Sequence, residues 1–151
     1  MTLAMKLRRA PGRLATGAFI VNSGLGKLKG DEKTAEMVHG MATGTYPFLK
    51  SIEPKTFLKI LAISEIALGG VLLAPVVPAG LAGIALTGFS GALLKMYWKT
   101  PGMHAPGDPR PSQQGIAIAK DVWMFAIGTG LVLDSLLSRD GVGDQSASDS
   151  E

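Results

Sequence analysis

Charged side chains inside apolar stretches are the residues of this chain that could do chemistry. Glu65 is the only charged residue between positions 60 and 94. An ionised side chain at membrane depth is costly, and it is usually paired with an opposite charge or faces a polar cavity. We therefore predict a basic partner for Glu65 from another helix. The residues predicted to form one intramembrane polar cluster are Lys27, Glu65, Lys95, Lys120 and Asp121.

Two interpretations of this cluster stay open. In the first, the cluster is a polar pocket centred on Glu65 that opens to the loop side. In the second, the lysines extend toward water and Glu65 is only hydrogen-bonded or protonated. The sequence offers no nucleophile, so no catalytic residue is predicted. Arg13 and Asp134 are predicted to form a second pair at the opposite side of the membrane.

Three aromatic residues, Tyr97, Trp98 and Trp123, fall on the same predicted membrane side as Glu65. They fit an aromatic belt at the membrane–water interface. The alternative is that they form one wall of a site for a flat ring such as a quinone. The chain has no cysteine and two histidines, and both histidines fall in predicted loops. No metal site and no bound cofactor are therefore predicted, with quinone as the candidate ligand.

Four apolar, glycine-rich stretches must position these residues. They cover residues 10–28, 57–77, 78–98 and 116–137, and a bilayer core about 30 Å thick needs about 20 helical residues to cross it. Only 18% of the 151 residues are charged, against about 25% in soluble domains. The sequence predicts an all-α fold, a four-helix transmembrane bundle with up-down topology. One membrane domain covers residues 1–138, and the acidic tail 139–151 is predicted to be disordered.

The connections between the stretches carry turn and cap signals. Asp31 is placed to cap a helix over residues 31–41, with Thr34 in its first turn. That helix is either amphipathic and lies on the membrane surface, or the segment is an ordinary solvated connection. Pro54 suits the first turn of the second helix. Pro75 and Pro78 end that helix and start the next, which makes a helical hairpin.

The net charge of +3 could indicate binding either to nucleic acid or to a membrane surface. Lysines and arginines flank the apolar stretches instead of lining one face, as expected for anchoring at a membrane interface. The lipid bilayer is the predicted partner, and nucleic acid is not.

Short motifs in three of the stretches resemble the DoxX-like family of small membrane proteins. Glu65 is followed by Gly69 in the second stretch, and Lys120 and Asp121 open the fourth. The first stretch has the order Arg-x3-Gly-x-Phe-x4-Gly-x2-Lys-Leu, formed by Arg13, Gly17, Phe19, Gly24, Lys27 and Leu28.

The resemblance implies a multi-pass protein of the bacterial inner membrane that accompanies other membrane or redox proteins. The family takes its name from a subunit of a quinone-linked thiosulfate-oxidising complex. By resemblance, the function is that of an accessory subunit associated with quinone-linked or respiratory redox complexes. The alternatives are a quinone-reducing enzyme subunit that uses the Glu65 pocket, and a transporter of small solutes or ions. The polar positions implied by the resemblance are Arg13, Lys27, Glu65, Lys120 and Asp121.

Overall fold

The computed structural model describes the backbone of residues 3–148 and the side chains of residues 3–138. Regular structure within residues 3–148 is helical, apart from an isolated bridge between His104 and Pro111. The predicted all-α class is confirmed. The elements are α1 (Leu3–Leu28), α2 (Glu32–Thr45), a 3-10 helix (Pro47–Ser51), α3 (Pro54–Leu73), α4 (Ala79–Lys99), α5 (Ile116–Ala119) and α6 (Asp121–Ser148).

Three segments are long and apolar enough to cross a membrane, judged by length and composition. They are α3, α4 and the stretch Ile116–Ser138, which joins α5 to α6. The first predicted stretch is not among them, although α1 is long. Arg9, Arg13 and Lys27 lie in α1 together with several glycines, and these residues lower its hydropathy.

Two helix bounds differ most from the sequence-based expectation. The first helix begins at Leu3 instead of residue 10, and it continues through Pro11. The last helix continues to Ser148, where the sequence predicts a disordered tail from residue 139. Adding residues to an existing helix costs less than nucleating one, so the end of an apolar helix can carry polar residues beyond it. Residues 149–151 of the predicted tail lie outside the described residues.

Local signals set several other bounds as expected. The side chain of Asp31 accepts a hydrogen bond from the backbone N–H of Thr34 at 2.9 Å and caps α2. The packed face of α2 includes the buried residues Ala35 and Ala42, and this helix contacts both α3 and α4. Pro54 occupies the first turn of α3, which Glu53 caps. The first connection thus contains a helix that packs on the others.

Glycines bring the long helices together in two close pairs. The first helix packs mainly against α3, and α4 mainly against α6. A Cβ atom built on Gly69 would lie 2.7 Å from the carbonyl oxygen of Gly17, and one on Gly83 would lie 2.6 Å from that of Gly128. Such close approach of two backbones is available only to the smallest residues.

We expect Gly69→Ala to destabilise the protein by about 1–3 kcal/mol, because the added methyl group overpacks the contact between α1 and α3. That methyl group would lie 2.5 Å from Cγ2 of Val21. The neighbouring change Gly70→Ala is the matched control, because no atom lies within 4 Å of its Cβ position. Thermal unfolding of both variants in the same detergent measures the difference. Equal stability of the two variants would contradict the packing of α1 on α3.

Candidate functional site

The contact between α1 and α3 brings two charged side chains together. A Cβ atom on Gly24 would lie 2.7 Å from the carbonyl oxygen of Ala62 and 3.1 Å from Cβ of Glu65. This close approach places Lys27, one turn further along α1, beside the carboxylate of Glu65. Lys27 Nζ lies 2.9 Å from Glu65 Oε2 and donates a second hydrogen bond to Ser23 Oγ at 2.8 Å. Glu65 is therefore held in an ion pair that joins two helices.

This ion pair lines a cavity of about 320 Å³ enclosed by α1, α2, α3, α4, α5 and α6, which we call the polar cavity. Its charged and hydroxyl-bearing lining residues are Ser23, Lys27, Glu65, Lys120 and Asp121. The remaining wall is apolar, and three of its side chains are the methionines Met41, Met96 and Met124. A concave, mostly apolar space with a few convergent polar groups is the usual form of a small-molecule site.

Asp121 is a lining residue whose buried carboxylate lacks a bonding partner among the described side chains. It lies in the first turn of α6 and is only 5% exposed. Within residues 3–138, its carboxylate has no hydrogen bond and no ion pair within 4 Å. The nearby charges that act on it are those of Lys120, Glu65 and Lys27. A second buried carboxylate thus faces the same cavity as Glu65.

The other two lysines of the predicted cluster, Lys95 and Lys120, form no ion pair with Glu65. Lys95 is exposed, and its ammonium lies 5.1 Å from the centre of the Tyr46 ring. It does not line the polar cavity, because its position on α4 turns it toward the loop that precedes α3. Lys120 lines the cavity, but its ammonium lies over the ring of Phe19 at 4.9 Å. Of the three lysines in the predicted polar cluster, Lys27 is the one that forms an ion pair with Glu65.

The structure does not bring Arg13 and Asp134 together as a pair. Asp134 instead forms ion pairs with Arg8 and Arg9, and Arg9 also donates to the Oγ of Ser138 at 3.2 Å. Arg8 and Arg9 precede the predicted first stretch, which begins at residue 10. The signal that could have found them is their helical spacing ahead of residue 10, which continues α1 to Leu3.

Arg13 has a different role, at the end of α3. Its guanidinium donates to four carbonyl oxygens at 2.7–3.0 Å. The acceptors are Val71, Leu72, Ala74 and Val77. The last carbonyls of a helix have no partner within the helix, so Arg13 caps α3 and fixes the turn that leads to α4. This use of the arginine explains why it is buried although none of the described side chains, residues 3–138, gives it an acidic partner.

The three predicted ring-binding aromatics line one cavity of about 540 Å³, which we call the aromatic cavity. Trp98 and Trp123 are 57% and 71% exposed, whereas Tyr97 is buried and donates from its hydroxyl to the carbonyl of Pro109 at 2.9 Å. Pro109 and Pro111 also line this cavity. The loop between α4 and α5 therefore forms part of the cavity wall.

His104 secures that loop. Its ring stacks on Trp98 with 4.6 Å between ring centres, and its two nitrogens lie 2.9 Å and 3.1 Å from the carbonyls of Ala105 and Trp98. Both nitrogens can donate only when the ring is protonated, and these hydrogen bonds raise the pKa of His104 above its ordinary value. Among the described residues, no group of three or more acidic or histidine side chains is placed to hold a metal ion.

Comparisons with known proteins add no class or name to these sites. No protein-family model, curated protein or solved structure matches the chain. The resemblance to the DoxX-like family stays a prediction from its motifs.

Proposed function

We propose that this chain is an integral membrane protein in which α1, α3, α4 and the α5–α6 segment form an up-down four-helix bundle. Large apolar side chains are exposed on each of these helices, including Leu14 and Phe19 on α1, Ile63 on α3, Ile84 on α4 and Leu133 on α6. Side chains of this kind are expected to face lipid. The exposed apolar side chains of α1 support it as the fourth span, even though its charges lower its hydropathy.

Within that bundle, we propose a non-catalytic accessory role in quinone-linked or respiratory redox complexes of the bacterial cell membrane. The observation that carries the proposal is the aromatic cavity. Its volume of about 540 Å³ falls in the range of small-ligand sites, about 300–1,000 Å³. Two tryptophans and a tyrosine offer flat faces on which a quinone ring can stack. The rings of Trp98 and Trp123 are exposed near the loops, so a ligand dissolved in the lipid bilayer could reach them.

The ion pair of Lys27 and Glu65 favours the accessory role over a catalytic one. Glu65 is already bonded to Lys27, which is bonded in turn to Ser23. A carboxylate held this way joins α1 to α3, which is a structural role. The alternative, a quinone-reducing subunit, draws support from Asp121 as a second buried carboxylate in the same cavity.

Tryptophan fluorescence tests the ligand. The chain has two tryptophans, and both line the aromatic cavity, so a bound quinone should quench them. Titration of the purified full chain in detergent with a short-chain benzoquinone is expected to give saturable quenching. Quenching that rises linearly without saturation, as for free tryptophan in the same detergent, would overturn the quinone proposal.

A matched pair of variants locates the quenching. Ala119 lines the aromatic cavity, whereas Ala126 is exposed and lines none of the cavities described for this protein. We expect Ala119→Leu to weaken the saturable quenching and Ala126→Leu to leave it unchanged.

Pull-down of the full chain in mild detergent with mass spectrometry tests the partner, since an accessory subunit should co-purify with a redox complex.

A further inference from the structure

The seam between α1 and α6 is an open groove. Because α1 packs mainly against α3 and α6 mainly against α4, the two helices leave a cavity of about 290 Å³ between them. We call this cavity the seam groove. Its apolar lining includes Ala15, Phe19, Met124 and Ile127. Phe19 and Met124 also line the polar cavity, so the two spaces adjoin.

The charged groups of the seam groove lie at one end. Lys120 and Asp121 line it at the start of α6, and Ile127 lies seven residues further along the helix. At about 1.5 Å per residue this gives a length of about 10 Å. A molecule that fits has an ionic head at one end and a thin apolar chain along the rest.

The ionic head of such a molecule must supply a bonding partner for the carboxylate of Asp121. A buried carboxylate with no partner is costly, and within residues 3–138 no group bonds to this one. Lys27, which lines the adjoining polar cavity, is already bonded to Glu65 and Ser23. The ammonium of Lys120 lies over Phe19 and forms no ion pair within 4 Å among the same residues. The groove thus offers one carboxylate and one ammonium to a ligand that carries both charges.

We propose that the seam groove binds one phospholipid with a primary-ammonium headgroup. The lipid ammonium lies against Asp121, its phosphate against Lys120, and one acyl chain lies between α1 and α6. A primary ammonium has three N–H donors for the carboxylate. A choline headgroup is quaternary and has none, so the groove discriminates between the two lipids.

Native mass spectrometry of the purified full chain tests this assignment. The protein is mixed in detergent with equal amounts of phosphatidylethanolamine, phosphatidylcholine and phosphatidylglycerol that carry the same acyl chains. We expect one phosphatidylethanolamine to be retained, about tenfold more than either other lipid. Asp121→Asn should reduce this preference about tenfold, while Asp108→Asn, a change in the exposed loop, should leave it unchanged.

Two further variants keep the test decisive if Asp121→Asn does not fold. Ala15 and Ala18 are both exposed on α1, but only Ala15 lines the groove. Ala15→Leu should fill the groove and reduce lipid retention, and Ala18→Leu should not. Equal retention of phosphatidylethanolamine and phosphatidylcholine by the unmodified chain would overturn the proposal. Equal retention by the two alanine variants would place any bound lipid elsewhere and would also overturn it.

Discussion

Glu65→Gln is expected to lower the free energy of unfolding by about 3–5 kcal/mol, because removing one partner of a buried ion pair leaves the other charge uncompensated. Glutamine keeps the shape of the side chain but not its charge. Lys27 Nζ lies 2.9 Å from the Glu65 carboxylate, and the side chain of Lys27 is 23% exposed. Because the lysine can extend toward water, the loss should fall near the lower end. Thermal unfolding in detergent measures it.

The control is a double-mutant cycle on the ion pair of Lys27 and Glu65. Lys27→Gln leaves Glu65 buried without its cation, and the double change Lys27→Gln with Glu65→Gln removes both charges. We expect the double variant to be less destabilised than the sum of the two single variants, since neither charge is then left alone. Additive effects would show that the ion pair does not couple α1 to α3.

The Glu65→Gln variant also distinguishes the accessory role from a role in proton transfer. If Glu65 assembles helices, any redox activity of the associated complex should fall only in proportion to the folded protein. A Glu65→Gln variant that stays folded and assembled, yet loses that activity, would favour the quinone-reducing alternative, because the amide cannot titrate.

Arg13→Met should also destabilise the protein strongly, by about 3 kcal/mol or more, because each buried carbonyl left unsatisfied costs about 1–3 kcal/mol. The variant keeps a long apolar side chain but removes the four hydrogen bonds that the guanidinium donates to Val71, Leu72, Ala74 and Val77. Of these carbonyls, that of Ala74 keeps a hydrogen bond from the backbone N–H of Val77. The loss should loosen the end of α3 and the turn that follows. Hydrogen exchange at the amides of residues 71–78, together with thermal unfolding, measures both effects.

Arg8→Met is the matched control for this change. Arg8 belongs to the same helix, but its side chain is 58% exposed and pairs with Asp134, so its removal should cost about 1 kcal/mol or less. Arg13→Lys should lie between the two, because lysine keeps the charge but lacks the planar group that reaches several carbonyls. A loss for Arg13→Met no larger than that for Arg8→Met would contradict the capping role.

Features that depend on neighbours in sequence were set by the sequence alone. The long apolar runs determined α3, α4 and the α5–α6 segment, since hydropathy and length are local properties. Asp31 capped its helix because the hydrogen bond reaches only three residues ahead. Pro54, Pro75 and Pro78 set the start of α3 and the hairpin turn, because proline restricts its own backbone and lacks an N–H group.

Features that depend on which helix faces meet were decided only by the tertiary structure. Three lysines shared the predicted membrane side with Glu65, and the close approach of Gly24 to α3 selected Lys27. Arg13 was expected to pair with Asp134 because both were placed at the same side of the membrane, yet the carbonyls at the end of α3 and in the turn after it bind Arg13 instead. Asp121 became a buried carboxylate without a hydrogen bond or ion pair among residues 3–138, because α6 packs on α4 and leaves its seam with α1 open. The rotation and spacing of packed helices follow from contacts between distant residues, and a single sequence does not encode those contacts in any local pattern.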